Sequence, residues 1–383
     1  MKKMKVLFDY QAFYFQYYGG VSNMFTQLMK NMPKDVDVIL GLKESNNIHL
    51  RESGLFNVRP ATCDYNNFIC KKNFFGKGHL YEWLYHFFPL QTTLGRNRLE
   101  SITLLKKGDF DVFHPTFYDD YFLPYLNGKP YVLTIHDMIS EKYFTKDNEQ
   151  SINKRKLANN AAHIIAVSET TKHDIMELLS IDSRKITVIY HDVPEVKQKM
   201  KERLIHGDYI LFVGNREGYK NFIPMMYSIK PVLNNHRNLR LVCAGKPFNK
   251  VEMNIMKSLD VIDSVIQICP SDSELRNLYS HATCFIYPSE YEGFGIPILE
   301  AYQQNCPVLL NNRSCFPEIA RDAAIFFNLD YNGSDLTEVL EDFISMNEAE
   351  KKLLLEHQRK RLSDFSWKKS ANQLAEVYQM IIG

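Results

Sequence analysis

The chain has 383 residues, which is enough for two domains of ordinary size. Hydrophobic residues make up 45% and charged residues 24%, a balance typical of a globular protein. The net charge of +1 argues against a general nucleic-acid binder, and no apolar run approaches the roughly 18 residues that span a bilayer. The cysteines lack a paired C-x-x-C spacing, so we expect reduced thiols and a cytoplasmic location.

Short apolar runs alternate with helical stretches along the whole chain. Continuous runs rich in Val, Ile and Leu are typical of strands buried on both faces, and their alternation with helices indicates parallel sheets. We therefore predict an α/β fold with two doubly wound, Rossmann-like domains. The predicted strands are Lys5–Phe8, Val36–Leu40, Val112–His114, Tyr131–Ile135, Ile164–Val167, Thr187–Tyr190, Tyr209–Val213, Leu239–Ala244, Val265–Cys269, Cys284–Tyr287, Val308–Leu310 and Ile325–Phe327.

A domain boundary is predicted where Pro194 and a charged stretch interrupt this alternation. We place an N-terminal domain at residues 1–195, a second domain at 196–365 and a last helix at 366–383. Apolar residues in the last segment step by 4, 3, 4 and 3, so they line one helix face that must pack against another element. They are Trp367, Ala371, Leu374, Tyr378 and Ile381.

Two features of the first half lie at the carboxyl ends of predicted strands, where doubly wound sheets bind ligands. Gly19 and Gly20 precede a helix predicted from about Val21 to Met32, and His136 closes the fourth strand. A glycine pair makes a turn without any ligand, and a lone histidine at a strand end is more often structural than catalytic. The residues alone leave both interpretations open.

A basic loop follows the first strand of the second half. Gly214 ends that strand, and Arg216 and Lys220 come before a helix predicted to begin near Asn221. Cations are disfavoured at a helix N-terminus, and a diphosphate bound between the two side chains would explain them. The alternative is that both side chains simply extend into solvent.

The most specific segment is the turn and helix after the strand Cys284–Tyr287. Pro297 suits the first turn of a helix, where its missing N–H costs nothing. We therefore expect the N–H groups of Phe294, Gly295 and Ile296 to be free at the helix N-terminus. Free N–H groups with the positive end of the helix dipole behind them form an anion site.

Two carboxylates bracket this expected anion site. Glu292 lies in the loop and Glu300 in the helix, with seven residues between them. Carboxylates accept hydrogen bonds from sugar hydroxyls, so a phosphate site flanked by them indicates a nucleotide sugar. Taken singly, a glutamate before a helix is often only a charge partner of the helix dipole, and one in the second turn is usually solvated.

The complete string from Tyr287 to Val308 closely resembles the E-x7-E signature of retaining glycosyltransferases with the GT-B fold, in particular family 4 (glycosyl transferases group 1). The resemblance implies two Rossmann-like domains that face each other across a cleft, with the C-terminal helix crossing back to the N-terminal domain. It also implies transfer of a sugar from a nucleoside diphosphate sugar to an acceptor hydroxyl, with retention at the anomeric carbon and without a metal ion.

The resemblance further implies roles for the residues above. Glu292 would hold sugar hydroxyls, and His136 would contact the donor sugar. Arg216 and Lys220 would bind the diphosphate, although many relatives place the arginine directly after the glycine, where this chain has Asn215. These four residues are the predicted catalytic set, and no metal ligand or cofactor other than the donor is predicted. The predicted donor-binding residues are Gly19, Gly20, Gly214, Arg216, Lys220, Phe294, Gly295, Ile296 and Glu300, the last on the ribose hydroxyls.

The predicted activity is that of a hexosyltransferase in cell-surface polysaccharide synthesis. Its partners would be a nucleotide sugar, carrying mannose, glucose or galactose, and a glycan or lipid-linked acceptor, with no nucleic acid. Two alternatives from other classes stay open: a nucleotide-sugar epimerase of similar architecture, and a non-catalytic binding partner that uses the GT-B shell.

Residues 65–88 interleave lysines with aromatic side chains. Such a stretch is suited to a membrane surface or a lipid-linked acceptor. A core-facing helix followed by a solvated loop would explain it equally well. We therefore predict peripheral contact with the inner face of the membrane as an addition to the cytoplasmic location.

Overall fold

The computed structural model describes residues 3–65, 67–69, 72–144, 148–193, 202–330 and 333–383. The strands are β1 (Met4–Asp9), β2 (Val36–Gly41), β3 (Val112–His114), β4 (Val132–Ile135), β5 (His163–Ala166), β6 (Ile186–Val188), β7 (Asp208–Val213), β8 (Leu239–Ala244), β9 (Val265–Ile268), β10 (Cys284–Tyr287), β11 (Val308–Asn311), β12 (Ile325–Phe327), β13 (Leu329–Asp330) and β14 (Gly333–Ser334). Each predicted strand is present, with ends shifted by at most two residues.

The helices fill the connections between these strands, as the alternating pattern predicts. They are α1 (Gln11–Phe15), α2 (Gly20–Lys30), α3 (Ile48–Ser53), α4 (Lys77–Phe87), α5 (Thr93–Lys107), α6 (Ile139–Tyr143), α7 (Glu149–Asn160), α8 (Glu169–Leu179), α9 (Phe222–Asn235), α10 (Lys250–Ser258), α11 (Asp272–His281), α12 (Ile296–Gln303), α13 (Phe316–Ala320), α14 (Leu336–Ser345), α15 (Glu348–Leu362) and α16 (Trp367–Ile382). Among the described residues, no helix combines the length and the apolar character that crossing a membrane requires.

The chain divides into two compact units. Unit 1 contains Met1–Val167, Thr171–Ile189 and Trp367–Gly383, and unit 2 contains Ser168–Thr170 and Tyr190–Ser366. The predicted boundary between residues 195 and 196 lies outside the described residues.

Unit 1 is built on parallel strands in two groups of three. Their orders are β2-β1-β3 and β4-β5-β6, and a parallel bridge between Phe113 and Tyr131 joins the two groups. All the pairings are parallel, as the continuous apolar runs predict.

The C-terminal helix α16 is part of unit 1, which agrees with the predicted return of this helix to the N-terminal domain. Its Tyr378 hydroxyl lies 2.5 Å from Nδ1 of the buried His114, whose Nε2 lies 2.9 Å from the Thr134 hydroxyl. Burial lowers the pKa of His114 to about 3, so the ring is neutral and both of its nitrogens are satisfied. The buried residues of the predicted stripe are Trp367, Ala371, Leu374 and Tyr378.

Unit 2 contains a six-stranded parallel sheet in the order β12-β11-β10-β7-β8-β9. From β7 the chain proceeds to β8 and β9 on one side, and then returns to β10 on the other side of β7. The strand order therefore reverses between β7 and β10, and in doubly wound sheets ligands bind at the carboxyl ends of the strands at such a point. The loops after these two strands carry the basic residues and the E-x7-E string.

Candidate functional site

The two loops at the point of strand reversal contact each other directly. The backbone N–H of Glu290, after β10, donates to the carbonyl of Tyr219, in the loop after β7, at 2.7 Å. Gly214 opens the first loop with φ +118°, a conformation that favours glycine. This fixes the relative position of Lys220 and Glu292, which lie one and two residues away from the contact.

Side chains from a third segment hold the backbone of the Glu292 loop. The N–H of Glu292 donates to Oγ of Ser314 at 3.1 Å, and the Ser314 hydroxyl donates to the Glu292 carbonyl at 2.8 Å. The buried amide of Asn311, at the end of β11, donates to the carbonyl of Pro288 at 3.2 Å. Hydrogen bonds that Ser314 and Asn311 make with the backbone of this loop thus preorganise it.

Lys220 and Glu292 form an ion pair. Nζ of Lys220 lies 2.5 Å from Oε1 of Glu292, and their side chains are only 18% and 11% exposed. The ammonium also lies 5.1 Å from the ring centre of Tyr219 and 6.0 Å from that of Tyr287. A short contact of this kind between an ammonium and a carboxylate holds both side chains in one orientation.

The helix N-terminus after Glu292 has the predicted free donors. Helix α12 begins at Ile296 after Gly295, whose φ is +88°. A Cβ at Gly295 would lie 3.1 Å from Cδ1 of Ile298 and 3.2 Å from Cε1 of Phe316, so a side chain there would crowd both neighbours. Within the described ranges, the N–H groups of Phe294, Gly295 and Ile296 donate to no protein oxygen. They can therefore bind an anion.

Glu300 lies one turn further along α12. Burial raises the pKa of its carboxyl to about 7. The hydroxyl of Tyr279 donates to Oε2 of Glu300 at 3.2 Å. The carboxyl can therefore change its protonation state near neutral pH, and its other oxygen can accept further hydrogen bonds.

Arg216 does not lie against the Lys220–Glu292 pair. Its Nε donates to Oε1 of Glu252 at 2.9 Å, and its Nη2 donates to the carbonyls of Lys246 and Pro247 at 2.7 and 3.0 Å. The side chains of Arg216 and Glu252 are 4% and 6% exposed, so this is a buried ion pair. Of the three guanidinium nitrogens, Nη1 makes no hydrogen bond to the described residues. Most of the guanidinium thus serves to hold the start of α10.

His136, the remaining predicted catalytic residue, lies in unit 1 at the end of β4. Its backbone N–H donates to the Tyr118 hydroxyl at 3.2 Å, and its ring meets that of Phe25 edge-on at 6.0 Å. Burial lowers its pKa to about 3, and the charge of the nearby Lys154 acts in the same direction. The imidazole is therefore neutral. Its contact with a donor sugar stays a prediction.

Gly19 and Gly20 also lie in unit 1, directly before and at the start of α2. The helix begins at Gly20 and ends at Lys30, slightly earlier than predicted. A Cβ at Gly19 would overlap the Gln16 side chain, whose Oε1 accepts the N–H of Ser22 at 2.9 Å. A role of the pair in donor binding stays a prediction.

Sequence reasoning missed two side chains that shape the site in unit 2. Glu252 holds Arg216 and also caps α10 together with Asn249, and the Asn-x-x-Glu spacing was a visible signal of that cap. Ser314, which holds the Glu292 backbone, lies 22 residues downstream with no pattern around it.

One group of potential metal ligands occurs within the described residues. His173, Asp174 and Glu177 lie together on α8. The carboxylate of Asp174 is already paired with Nζ of Lys142 at 2.5 Å. None of these residues belongs to the predicted site.

Two family models match successive parts of the sequence. The family described as "Glycosyltransferase Family 4" matches residues 18–194, and the one described as "Glycosyl transferases group 1" matches residues 196–361. Together the two matches cover most of the chain and both of its units.

Similar proteins include mannosyltransferases. The chain is 32% identical to the O-antigen chain mannosyltransferase RfbU of Salmonella typhimurium over 52% of its length and 56% of the relative's. It is 24% identical to the O-antigen chain mannosyltransferase B of Escherichia coli, over 74% and 78% of the two chains. A third relative, the GDP-mannose:cellobiosyl-diphosphopolyprenol alpha-mannosyltransferase of Xanthomonas oryzae, is 25% identical over 53% and 57%. The match thus spans little more than half the length of two of these relatives.

Solved structures share the fold over the full length of the chain. Sucrose-phosphate synthase from Thermosynechococcus elongatus superposes with a TM-score of 0.71 at 15% identity, covering 99% of each chain. The Anabaena protein HepE, solved in complex with UDP and glucose, superposes with a TM-score of 0.71 at 13% identity, covering 98% of this chain and 99% of its own. The chain therefore belongs to the GT-B glycosyltransferases of family 4, glycosyl transferases group 1.

Proposed function

We propose that this protein is a retaining, metal-independent glycosyltransferase that moves mannose from GDP-mannose to a glycan or lipid-linked acceptor in cell-surface polysaccharide synthesis. The observation that carries the proposal is the Lys220–Glu292 pair, which lies next to the free N–H groups that open α12. It combines a cation, an anion site and a hydroxyl acceptor at the point of strand reversal in unit 2. We infer that the protein acts from the cytoplasm and contacts the membrane peripherally.

The proposed chemistry divides the work between these groups. The bond from the anomeric carbon to the diphosphate breaks, and the acceptor oxygen forms its new bond on the same face of the sugar. The acceptor proton passes to the departing diphosphate. Lys220 and the N–H groups of Phe294, Gly295 and Ile296 stabilise the charge that develops there. Glu292 accepts hydrogen bonds from sugar hydroxyls.

Arg216 has a smaller part in this proposal than the sequence indicates. Because its Nε and Nη2 are bonded to protein acceptors, only Nη1, which is itself buried, is left to donate to a phosphate oxygen. Lys220 is therefore the main side-chain cation of the proposed diphosphate site.

The choice of mannose rests on the activities for which the relatives are named. RfbU and mannosyltransferase B are O-antigen chain mannosyltransferases, and the Xanthomonas relative uses GDP-mannose with a diphosphopolyprenol-linked acceptor. We extend the sugar, the guanine base and the class of acceptor to this protein.

A ligand screen followed by product analysis tests the proposal. GDP and GDP-mannose are expected to raise the melting temperature more than UDP or UDP-glucose, since only ligands of the folded state stabilise it. Transfer to a lipid-linked glycan extracted from cells should give an α-configured mannoside by NMR. Stabilisation by uridine nucleotides alone would exclude the mannose assignment. Isomerisation of the donor in the absence of acceptor would indicate an epimerase.

Transfer activity is expected to survive an excess of EDTA, within about twofold of the untreated enzyme. The leaving diphosphate is neutralised in this proposal by Lys220 and a helix N-terminus, so no divalent ion is needed for its charge. Initial rates with and without chelator, at saturating donor, are the measurement. Complete loss of activity that manganese or magnesium restores would mean that a divalent ion neutralises the leaving diphosphate.

Nucleotide affinity is expected to depend on the protonation of Glu300. The pKa of about 7 means that the carboxyl is ionised at pH 8 and mostly protonated at pH 6. If the carboxylate accepts hydrogen bonds from the ribose hydroxyls, GDP affinity should fall roughly tenfold between pH 8 and pH 6. Isothermal titration of Glu300→Gln supplies the matched control, because that variant should keep only the pH dependence of the nucleotide itself. The same pH dependence of GDP affinity in the wild type and in Glu300→Gln would contradict a contact between Glu300 and the ribose hydroxyls.

The same pKa fixes the sign of the effect on folding. The carboxyl binds its proton more tightly in the folded chain than at the ordinary value of 4.5. Its contribution to stability is therefore fully present below pH 4.5 and is lost as the pH rises to about 7. Weaker GDP binding at pH 6 would thus not reflect acid unfolding caused by this group.

A further inference from the structure

The anion site at the start of α12 depends on the direction in which its peptide groups face. A trans peptide group is planar, so its carbonyl and its N–H point in opposite directions. The N–H of Phe294 belongs to the same peptide group as the carbonyl of Gly293, and this group is trans. A contact that holds the Gly293 carbonyl therefore also sets the direction of the Phe294 N–H.

The Gly293 carbonyl is held by Ser168. The hydroxyl of this fully buried serine donates to the carbonyl at 2.6 Å. Both residues belong to unit 2, which includes the short segment Ser168–Thr170 although the residues before and after that segment belong to unit 1. The Phe294 N–H is thus directed away from Ser168, by a side chain that lies 125 residues earlier in the sequence.

A carboxylate fixes the segment that carries Ser168. The first N–H groups of α8, those of Glu169 and Thr170, donate to the carboxylate of Glu318 at 2.7 and 3.2 Å. The same carboxylate accepts a hydrogen bond from the Tyr190 hydroxyl at 2.8 Å. These three bonds hold the backbone next to Ser168 and so keep its hydroxyl against the Gly293 carbonyl.

The side chain of Phe294 is anchored as well. It is 4% exposed, and its ring centre lies 4.9 Å from that of His191, 5.9 Å from that of Phe365 and 6.0 Å from that of Tyr190. A ring packed against three others cannot turn without displacing them. The N–H of Phe294 is thus fixed twice, by its own ring and by the peptide group that Ser168 holds.

The neighbouring N–H of Ile296 is aimed by the helix itself. The carbonyl of Gly295, which belongs to the same peptide group, accepts the N–H of Ile298 at 2.9 Å. For Phe294 the corresponding bond comes from the distant side chain of Ser168. This serine therefore does for the Phe294 N–H what the first turn of α12 does for the Ile296 N–H.

We propose that Ser168 is a positioning residue of the diphosphate site, which aims the N–H of Phe294 at the bound anion. Its hydrogen bond also polarises the shared peptide group, because an amide whose oxygen accepts a hydrogen bond donates more strongly through its nitrogen. The inference deepens the proposed function and rests on it, since the anion is the diphosphate of the donor. Ser168 acts only through Phe294 and contacts no substrate.

This one peptide group can be observed by itself in the full-length protein. Gly293–Phe294 is the only glycine–phenylalanine pair in the sequence. Isotopic labelling of glycine at the carbonyl carbon and of phenylalanine at the nitrogen therefore leaves a single signal in an HNCO spectrum. The carbon shift reports the hydrogen bond that Gly293 accepts, and the proton shift reports the bond that Phe294 donates. The labelled, deuterated protein is titrated with inorganic pyrophosphate and with GDP.

The wild type and Ser168→Ala are expected to differ before and after the ligand is added. Without ligand, the Gly293 carbon signal of the variant should lie upfield of that of the wild type, since the bond to the carbonyl is lost. Pyrophosphate should move the Phe294 proton of the wild type downfield, because a charged oxygen then accepts its hydrogen bond. In the variant this movement should be smaller, and pyrophosphate and GDP should bind roughly tenfold more weakly, the lower end for a hydrogen bond to a charged group.

Thr170→Val provides the matched control from the same segment. It removes a hydroxyl that lies 3.4 Å from the Glu318 carboxylate, and it leaves the bond between Ser168 and Gly293 in place. Its carbon and proton signals and its pyrophosphate affinity should equal those of the wild type. A role of Ser168 in the fold alone would lower the melting temperature of Ser168→Ala without changing its pyrophosphate affinity.

The contrary results are distinct. The same carbon signal in Ser168→Ala and in the wild type would overturn the inference, and so would a shifted carbon signal with unchanged pyrophosphate affinity. A Phe294 proton that neither pyrophosphate nor GDP moves would overturn it too, even in a protein that transfers mannose. Pyrophosphate binding that depends on Ser168, in a protein that shows no mannosyl transfer, would leave the inference standing and remove the proposed function.

Discussion

Replacing Glu292 with alanine is expected to lower turnover by about 100-fold or more, which is the scale of losing one preorganised electrostatic contact in a transition state. The carboxylate lies 2.5 Å from Nζ of Lys220, and hydrogen bonds from Ser314 hold its backbone. It is therefore placed to accept hydrogen bonds from a sugar without reorganising. Initial rates at saturating donor, together with circular dichroism to verify the fold, are the measurement.

The same loop provides a matched control for this variant. Glu290 lies two residues earlier and contacts Tyr219 through its backbone N–H, so Glu290→Ala should retain nearly full activity. Glu292→Gln keeps the shape of the side chain but not its charge, and its rate should lie between those of the wild type and Glu292→Ala. Turnover of Glu292→Ala within about threefold of the wild type would remove Glu292 from the transition state.

The strands and their direction could be predicted from the sequence because burial on both faces leaves a local pattern. Cys284–Tyr287 is apolar throughout and Leu239–Ala244 is apolar apart from Arg240, and the structure gives both strands the predicted bounds. The stripe of α16 was equally visible, because the 3.6-residue period of a helix fixes which side chains share a face.

The free donors that open α12 could also be predicted, since Pro297, two residues after Gly295, marks the first turn of a helix. The partners of the charged side chains could not be predicted, because they come from distant parts of the chain. Arg216 and Glu252 are 36 residues apart, and Lys220 and Glu292 are 72 residues apart. A basic loop looks the same in sequence whether its cations are paired with protein carboxylates or with a ligand.

Replacing Arg216 with alanine is expected to destabilise the protein by about 3–5 kcal/mol, because it leaves the carboxylate of Glu252 buried without its cation. The two side chains are 4% and 6% exposed, so little water is available to replace the lost partner. For a unit of this size the loss corresponds to a fall of roughly 10 °C in apparent melting temperature. Lys220→Ala, which removes a more exposed cation, should melt within a few degrees of the wild type.

The double variant Arg216→Met/Glu252→Met separates support of the fold from contact with the ligand. Removing both charges leaves no unpaired ion, so much of the lost stability should return. If Nη1 also binds the diphosphate, this refolded variant should bind GDP roughly ten- to one-hundred-fold more weakly than the wild type, the range for one charge-assisted hydrogen bond. Wild-type GDP affinity in the stable double variant would make Arg216 a structural residue only. A melting temperature of Arg216→Ala close to that of the wild type would instead show that the buried ion pair contributes little, because Glu252 would then find other donors at the start of α10.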